Sequence, residues 1–261
     1  MNDSLKRMPV LFVGHGNPMN AIELNAFHQS WVKLGQTLPR PKAVLCISAH
    51  WETDGVAVTA APRPETIHDF YGFPRALFEV QYPAPGDPVL AQRTAELLTG
   101  YDVRLDAERG LDHGAWSVLA PMYPEADVPV VQLSLDSRKP GQFHYTLGKA
   151  LAPLRDEGVL ILASGNIVHN LRLLNYRDPT PPAWAQEADE EIRRRIEAHD
   201  HDALVDYATL GTAARQGIPT NEHYLPLLYA LALQADEDAL HFFNTAVWGS
   251  ISMTSVVLGS R

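Results

Sequence analysis

Several short runs of this chain are apolar at nearly every position and rich in β-branched residues. They are Val10–Val13, Ala43–Ala49, Val56–Ala60, Val130–Leu135, Val159–Ala163 and Ser252–Leu258. A strand with one wet face alternates apolar and polar residues, so a run without that alternation must be covered on both faces. Helical patterns lie between the runs, over Asn25–Leu34, Pro88–Leu98, Phe143–Asp156, Trp184–His199 and Tyr224–Gln234. In the fourth, Trp184, Ala188, Ile192 and Ile196 recur every four residues, and EADEEIRRR, with Arg193–Arg195, supplies a solvated face. Gly100 is placed to cap the second helix, and Pro153 to kink or end the third ahead of Gly158. Strands alternating with helices predict an α/β fold: a single domain over 1–261 with a central, mainly parallel or mixed sheet flanked by helices. A chain of 261 residues can bury enough core to fold without disulfides. No repeat, low-complexity tract or long linker divides it.

Ala61–Pro88 breaks the pattern. Its sequence, APRPETIHDFYGFPRALFEVQYPAPGDP, is rich in proline, glycine and aromatic residues. A loop of this length inside a compact domain is expected to form a functional wall or lid.

Composition removes several function classes. The formal net charge of −10 argues against a nucleic-acid partner or an anionic membrane surface, which require basic patches. The one cysteine, Cys46, rules out an intrachain disulfide framework and fits a reducing compartment. It is expected to be a small buried hydrophobe. The start, MNDSLKRMPVLFVGHG, lacks a signal-peptide pattern. No stretch approaches the roughly 20 apolar residues of a membrane span. A cytoplasmic protein is expected.

The eleven histidines carry more information than the charge. His15, His50 and His169 each follow the carboxyl end of an expected strand. In an open α/β sheet those ends share one rim, where ligands bind. His223 lies in NEHYLPLL, where Asn221 is a candidate helix cap. His113, in the glycine-bounded LDHGAW, is placed to join them. A catalytic divalent metal needs about three protein ligands and an open position, and imidazole suits zinc, iron and copper. Glycines beside these histidines (Gly14, Gly16, Gly114, Gly165) allow positive φ or close approach. There is no HExxH, CxxC or EF-hand loop. A single histidine after a strand is more often a hydrogen-bonded core or surface residue than a ligand; four in similar settings shift the balance to a metal site. His28, His144, His199, His201 and His241 are read as solvated or partly packed, and His68 as a residue that either lines the pocket or does not. The asparagines of GHGNP and SGNIVHN are read as local turn chemistry.

In these stretches the chain resembles the class III (LigB-type) extradiol ring-cleavage dioxygenases, in their 4,5-DOPA dioxygenase branch. The resemblance is carried by LFVGHGNPMN, LCISAHWE, TIHDFYGFPRALFEVQYPAPGDP, GLDHGAWSVLAPMYPEADVPVVQLSLD, LILASGNIVHNL and NEHYLPLLYALA, in the family's order almost to residue 235. WGSISMTS is similar to the family's ending.

The resemblance implies one divalent metal: Fe(II) for ring cleavage, with Zn(II) as the expected occupant of purified protein. His15 and His50 match metal ligands, and His223 stands where aromatic-acid-cleaving relatives place a glutamate. His169 matches an acid/base histidine, also a fourth ligand when zinc is bound, and His113 matches a histidine near substrate and oxygen. An all-histidine site implies a neutral ligand set.

The implied reaction opens the ring of a DOPA-like catechol with O₂ to a muconic semialdehyde. In it His169 takes the catechol proton, with a pKa near neutral, and His169 or His113 returns one. His68, Phe70, Tyr71 and Phe73 are candidate substrate contacts, and Arg75 and Arg177 candidates for a substrate carboxylate. Three alternatives stay open: a zinc hydrolase using the same histidines, a non-catalytic binding protein of the same fold, and a dioxygenase for another catechol.

Overall fold

The computed structural model describes residues 7–259. The part of the leader reading that rests on residues 1–6 lies outside them. Among the described residues ten strands form: β1 (Val10–Gly14), β2 (Ala43–Thr53), β3 (Ala57–Thr59), β4 (Arg104–Asp106), β5 (Val130–Asp136), β6 (Val159–Gly165), β7 (Ala239–Phe243), β8 (Val247–Trp248), β9 (Ile251–Ser252) and β10 (Ser255–Gly259). Eight of them make one mixed sheet in the order β4-β3-β5-β2-β6-β1-β10-β7, and β8 and β9 pair separately. The centre, β5-β2-β6-β1, is parallel throughout. Antiparallel pairs join β3 to β5, β1 to β10 and β10 to β7.

The central strands are covered on both faces, as their composition requires. Val10, Phe12, Leu45, Ile47, Ile161 and Ala163 belong to one core cluster. Leu11, Val13, Val44, Cys46, Leu160 and Leu162 belong to the other. Successive side chains point to opposite faces, so a strand apolar at every position feeds two cores. The first core is closed by helices Gly141–Ala150, Ala183–Glu197 and Leu225–Ala232, the second by Ala26–Thr37 and His113–Met122.

Several expectations need correction. The run Ser252–Leu258 is two strands, β9 and β10, separated at Met253–Thr254. Phe143–Asp156 is two helices, because Pro153 opens a second short one at Pro153–Asp156. Helix Pro88–Leu97 ends at Leu98 without a left-handed glycine, so Gly100 is not its cap. Helix Leu225–Ala232 has no side-chain cap; the backbone carbonyl of Asn221 accepts from Tyr224 and Leu225 instead. The asparagine of GHGNP behaves as expected, Asn17 accepting from the Met19 N–H. Those of SGNIVHN reach far along the chain instead: Asn166 donates to the Ser252 carbonyl and Asn170 to that of Gln216. Arg193 lies over the Phe242 ring rather than in solvent. Edge strands β4 and β7 and helix His113–Met122 were not expected at all.

One buried cation staples three distant segments. Arg155, fully buried, donates to the carbonyls of Met8 and Leu233 and pairs with Asp238 at 2.6 Å. The Asp238 side chain is 3% exposed. Burial pushes its carboxyl up, but the hydrogen bonds from Arg155 and the Ala235 N–H outweigh that and hold it below the usual range. A depressed carboxyl stabilises the fold fully above its unfolded pKa of about 3.9, and the contribution is lost as pH falls through the folded value. Asp238→Asn is therefore expected to cost about 3–5 kcal/mol at pH 7, the cost of leaving a buried charge without its partner. Urea unfolding across pH should show the deficit shrinking below about pH 4; a deficit independent of pH would contradict this account.

Candidate metal centre

β1, β2 and β6 run parallel and side by side, so their carboxyl ends share a rim. His15 is the first residue beyond β1. Its backbone is fixed by its N–H donating to the Gly165 carbonyl and by Asn20 donating to its own carbonyl. His50 is not at a strand end, contrary to expectation. β2 continues to Thr53, and its register against β5 jumps from Ile47–Leu133 to Glu52–Leu135. The extra residues bulge out of the ladder, and a bulge re-aims a side chain that a regular strand would bury. His169 follows β6, held by its N–H to the Gly217 carbonyl and a bridge to Ile251. His223 precedes helix Leu225–Ala232, and its carbonyl takes the Asn166 N–H. A Cβ on Gly165 would stand 2.1 Å from that carbonyl, so only glycine lets β6 and the His223 turn meet. His113 is not in a turn: it opens helix His113–Met122, which Asp112 caps.

The chain thus brings five histidines together. The Nε2 atoms of His15 and His50 are 3.1 Å apart. The His169 and His223 rings stack at 3.5 Å, and those of His50 and His113 lie 3.8 Å apart. His15, His50 and His223 each offer a ligand atom within 4.8 Å of the others.

Their partners define the tautomers. The Ser164 hydroxyl donates to the Gly114 carbonyl at 2.6 Å, so at 3.0 Å it can only accept from His15, whose Nδ1 must carry the proton. His223 Nδ1 lies 3.0 Å from the Glu222 carboxylate, which only accepts. His50 Nδ1 faces Asp69 at 3.6 Å. The Nε2 of His15 and of His223 is then a bare lone pair, and the Asp69 charge favours the same tautomer for His50. Three such lone pairs meet with no donor between them, and His223 Nε2 is buried without a hydrogen-bond partner. A divalent cation satisfies this arrangement, with outer groups holding each imidazole as metal sites require.

Electrostatics agree. Burial first, then the neighbouring histidines, holds His15 and His50 well below the usual imidazole range. Burial also lowers His223 and pushes His169 down to about 3. That corrects the expected near-neutral pKa of His169. Two carboxylates line the site, so its surroundings are not neutral as expected. Burial would raise Glu222, but His223 holds it below the usual range; His113 does the same for Asp69.

A buried polar web fixes the scaffold. Asp112 accepts from Ser48 at 2.6 Å and from Gln132 at 2.7 Å, while Ser48 accepts from the His50 N–H. It thereby ties β2, β5 and the helix of His113. Asp69, Glu222, Asp112 and Ser164 were all missed. Only Asp112 carried a sequence signal, as an Asp ahead of a run of helix formers.

The aromatic residues divide. Phe70 packs on His113 at 5.6 Å and on His68, Phe73, Phe78 and Trp116. His68 Nε2–H donates to the Val80 carbonyl at 3.0 Å, one ring behind Phe70. Tyr71 is 92% exposed and does not join them. Arg75 pairs with Glu79 on the surface and Arg177 is exposed, so neither stands at the histidines. Cys46 is buried, and burial, then Asp112, pushes its thiol up, as an inert core residue requires. His144 is fully buried against the Tyr229 hydroxyl, and His28 and His201 are hydrogen-bonded away from the site.

The family model described as the catalytic LigB subunit of aromatic ring-opening dioxygenase matches residues 9–257. The chain is 49% identical to 4,5-DOPA dioxygenase extradiol of Escherichia coli K12, covering 98% of this chain and 96% of that protein. It is 39% identical to the protein of the same name from Beta vulgaris, over 95% and 94%. A crystal structure of an uncharacterized protein from Escherichia coli K12 superposes with a TM-score of 0.83 at 44% identity, covering 97% of this chain and all of that one. With a LigB match across the sheet and its histidine rim, this chain belongs to the LigB family of extradiol aromatic ring-opening dioxygenases.

Proposed function

We propose that His15, His50 and His223 hold one divalent metal through their Nε2 atoms, and that the enzyme opens the ring of a DOPA-like catechol with O₂. The convergence of three bare Nε2 lone pairs, one buried without any hydrogen-bond partner, carries this reading. Fe(II) is the metal for ring cleavage, and Zn(II) fits the same imidazoles. Bound there, iron supplies the redox chemistry that joins a catechol to O₂.

The protein supplies the rest. His169, uncharged near neutral pH and stacked on His223, takes the catechol hydroxyl proton at an imidazole nitrogen. The Glu222 charge favours that protonated form. His169, so protonated, is placed to return that proton to the opening ring, while His113 stands beside the Asp69 carboxylate with its ring 3.8 Å from that of His50. Phe70 offers an aromatic face next to His113, with His68 and Phe73 behind it. That wall orients a planar substrate and keeps water out. The product is a muconic semialdehyde. We place the enzyme in the cytoplasm: its one thiol is buried, and among the described residues no helix is long and apolar enough to cross a membrane.

Apo-protein reconstituted anaerobically with Fe(II), Zn(II) or no metal, then given L-DOPA or caffeate, tests this. O₂ uptake and a yellow product are expected with Fe(II) alone. No uptake across a panel of catechols would overturn the reading and favour a zinc hydrolase. His169→Ala is expected to keep one metal per chain but lose about 10²–10⁴ in kcat, whereas His223→Ala should lose the metal itself. Ser164→Ala, which removes the acceptor of His15 Nδ1–H, should weaken metal binding about tenfold or more with circular dichroism unchanged.

A further inference from the structure

We propose that Asp69 is a positioning residue that sets the tautomer and orientation of His50 and His113 together; this rests on the metal-site reading above. One carboxylate spans both rings. Its Oδ1 accepts the His113 backbone N–H at 2.9 Å and lies 2.9 Å from His113 Nδ1. Its Oδ2 lies 3.6 Å from His50 Nδ1. The approach to His113 Nδ1 is bent away from a straight hydrogen bond, and the longer contact to His50 is electrostatic. Among the described residues, no other carboxylate forms an ion pair with either imidazole. A carboxylate only accepts, so its charge favours Nδ1–H on both rings and leaves Nε2 as the basic atom of each. For His50 that atom is the proposed ligand. For His113 it is the atom available to exchange a proton.

The chain holds this carboxylate firmly. Residues 65–67 run alongside Leu111: the Leu111 N–H donates to the Glu65 carbonyl at 2.7 Å and the Ile67 N–H to the Leu111 carbonyl at 2.8 Å. Trp116 Nε1 donates to the Ile67 carbonyl at 2.8 Å. A Cβ on Gly110 would stand 2.3 Å from the Glu65 carbonyl, so glycine is what permits the approach. On the other side of Asp69, Phe70 is wedged between His113 and Trp116. The long proline-rich segment is therefore more than a wall. It delivers a charged oxygen pair to the far side of a proposed metal ligand, where outer-layer partners typically govern metal affinity by 10–100-fold.

The test is metal binding to the full chain without substrate. Apo-protein is titrated with Co(II) and, against a chelator, with Zn(II). Asp69→Asn keeps the shape and removes the charge. It is expected to lower affinity at least about tenfold and alter the Co(II) visible bands, with its unfolding midpoint near that of the parent. With Fe(II) and a catechol, kcat should fall far more than KM changes. Asp69→Glu, which restores the charge at a displaced position, should fall between the two in affinity. Asp69→Ser carries the same expectation as Asp69→Asn should the latter fail to fold. Affinity and Co(II) bands within twofold of the parent would overturn the proposal, whatever the activity. Because these readouts need neither catechol nor O₂, loss of the dioxygenase reading would leave them intact.

Discussion

A strand buried on both faces takes a polar side chain only where a buried partner satisfies it, as Asp112 does for Gln132 of β5, or where the strand runs out of the sheet or leaves its register. β1, β2 and β6 carry apolar residues into two cores at once. Polar function is therefore confined to one rim. His15 and His169 lie just beyond strand ends, and His50 escapes by a bulge. The site is a consequence of this double burial: four segments separated by over 200 residues of chain converge because the parallel sheet leaves their polar residues one common exit.

Convergence alone would give a loose cluster. Buried polar groups must be satisfied or they cost more than they return, and here that demand makes the cluster rigid. Asp112 is fully buried and bonds residues of β2, β5 and its own helix. Ser164 joins His15 to Gly114. Each bond fixes a backbone or a tautomer that the next depends on. Against this satisfied web, the bare Nε2 of His223 stands out. The serines, aspartate and glutamine of this web are satisfied while the convergent imidazole lone pairs meet no donor, and such atoms suit a cation as their partner.

Much of the fold was legible because apolar runs and helical spacing report burial directly. Each of the six expected strand runs holds a strand, although Val56 and Ala60 lie outside β3 and the last run divides. What escaped has physical reasons. β4 and β7 are edge strands whose partly exposed residues lack the all-apolar signature. Helix His113–Met122 is buried almost all round, so it shows no amphipathic stripe, and its glycine reads as a turn. The histidines were legible from their place after strands. The His50 bulge was not, since nothing in SAHWE distinguishes a strand that ends from one that continues out of register. Asp69 and Glu222 adjoin residues already singled out. Sequence adjacency does not give side-chain direction, and their chemistry lies in that direction. Tyr71 shows the converse: it sits one residue from Phe70, yet faces solvent.

The two carboxylates also bear on how such a site handles charge. A carboxylate bound directly to a metal neutralises it but occupies a position. In this chain the ligand set proposed is imidazole alone, and Asp69 and Glu222 stand one layer behind His50 and His223. Through polarised Nδ1–H groups their charge would raise the basicity of the proposed ligating nitrogens. With negative charge behind the ligands rather than among them, the proposed site would hold a dication without setting a carboxylate beside a bound catecholate, where direct carboxylate ligation would place like charges side by side.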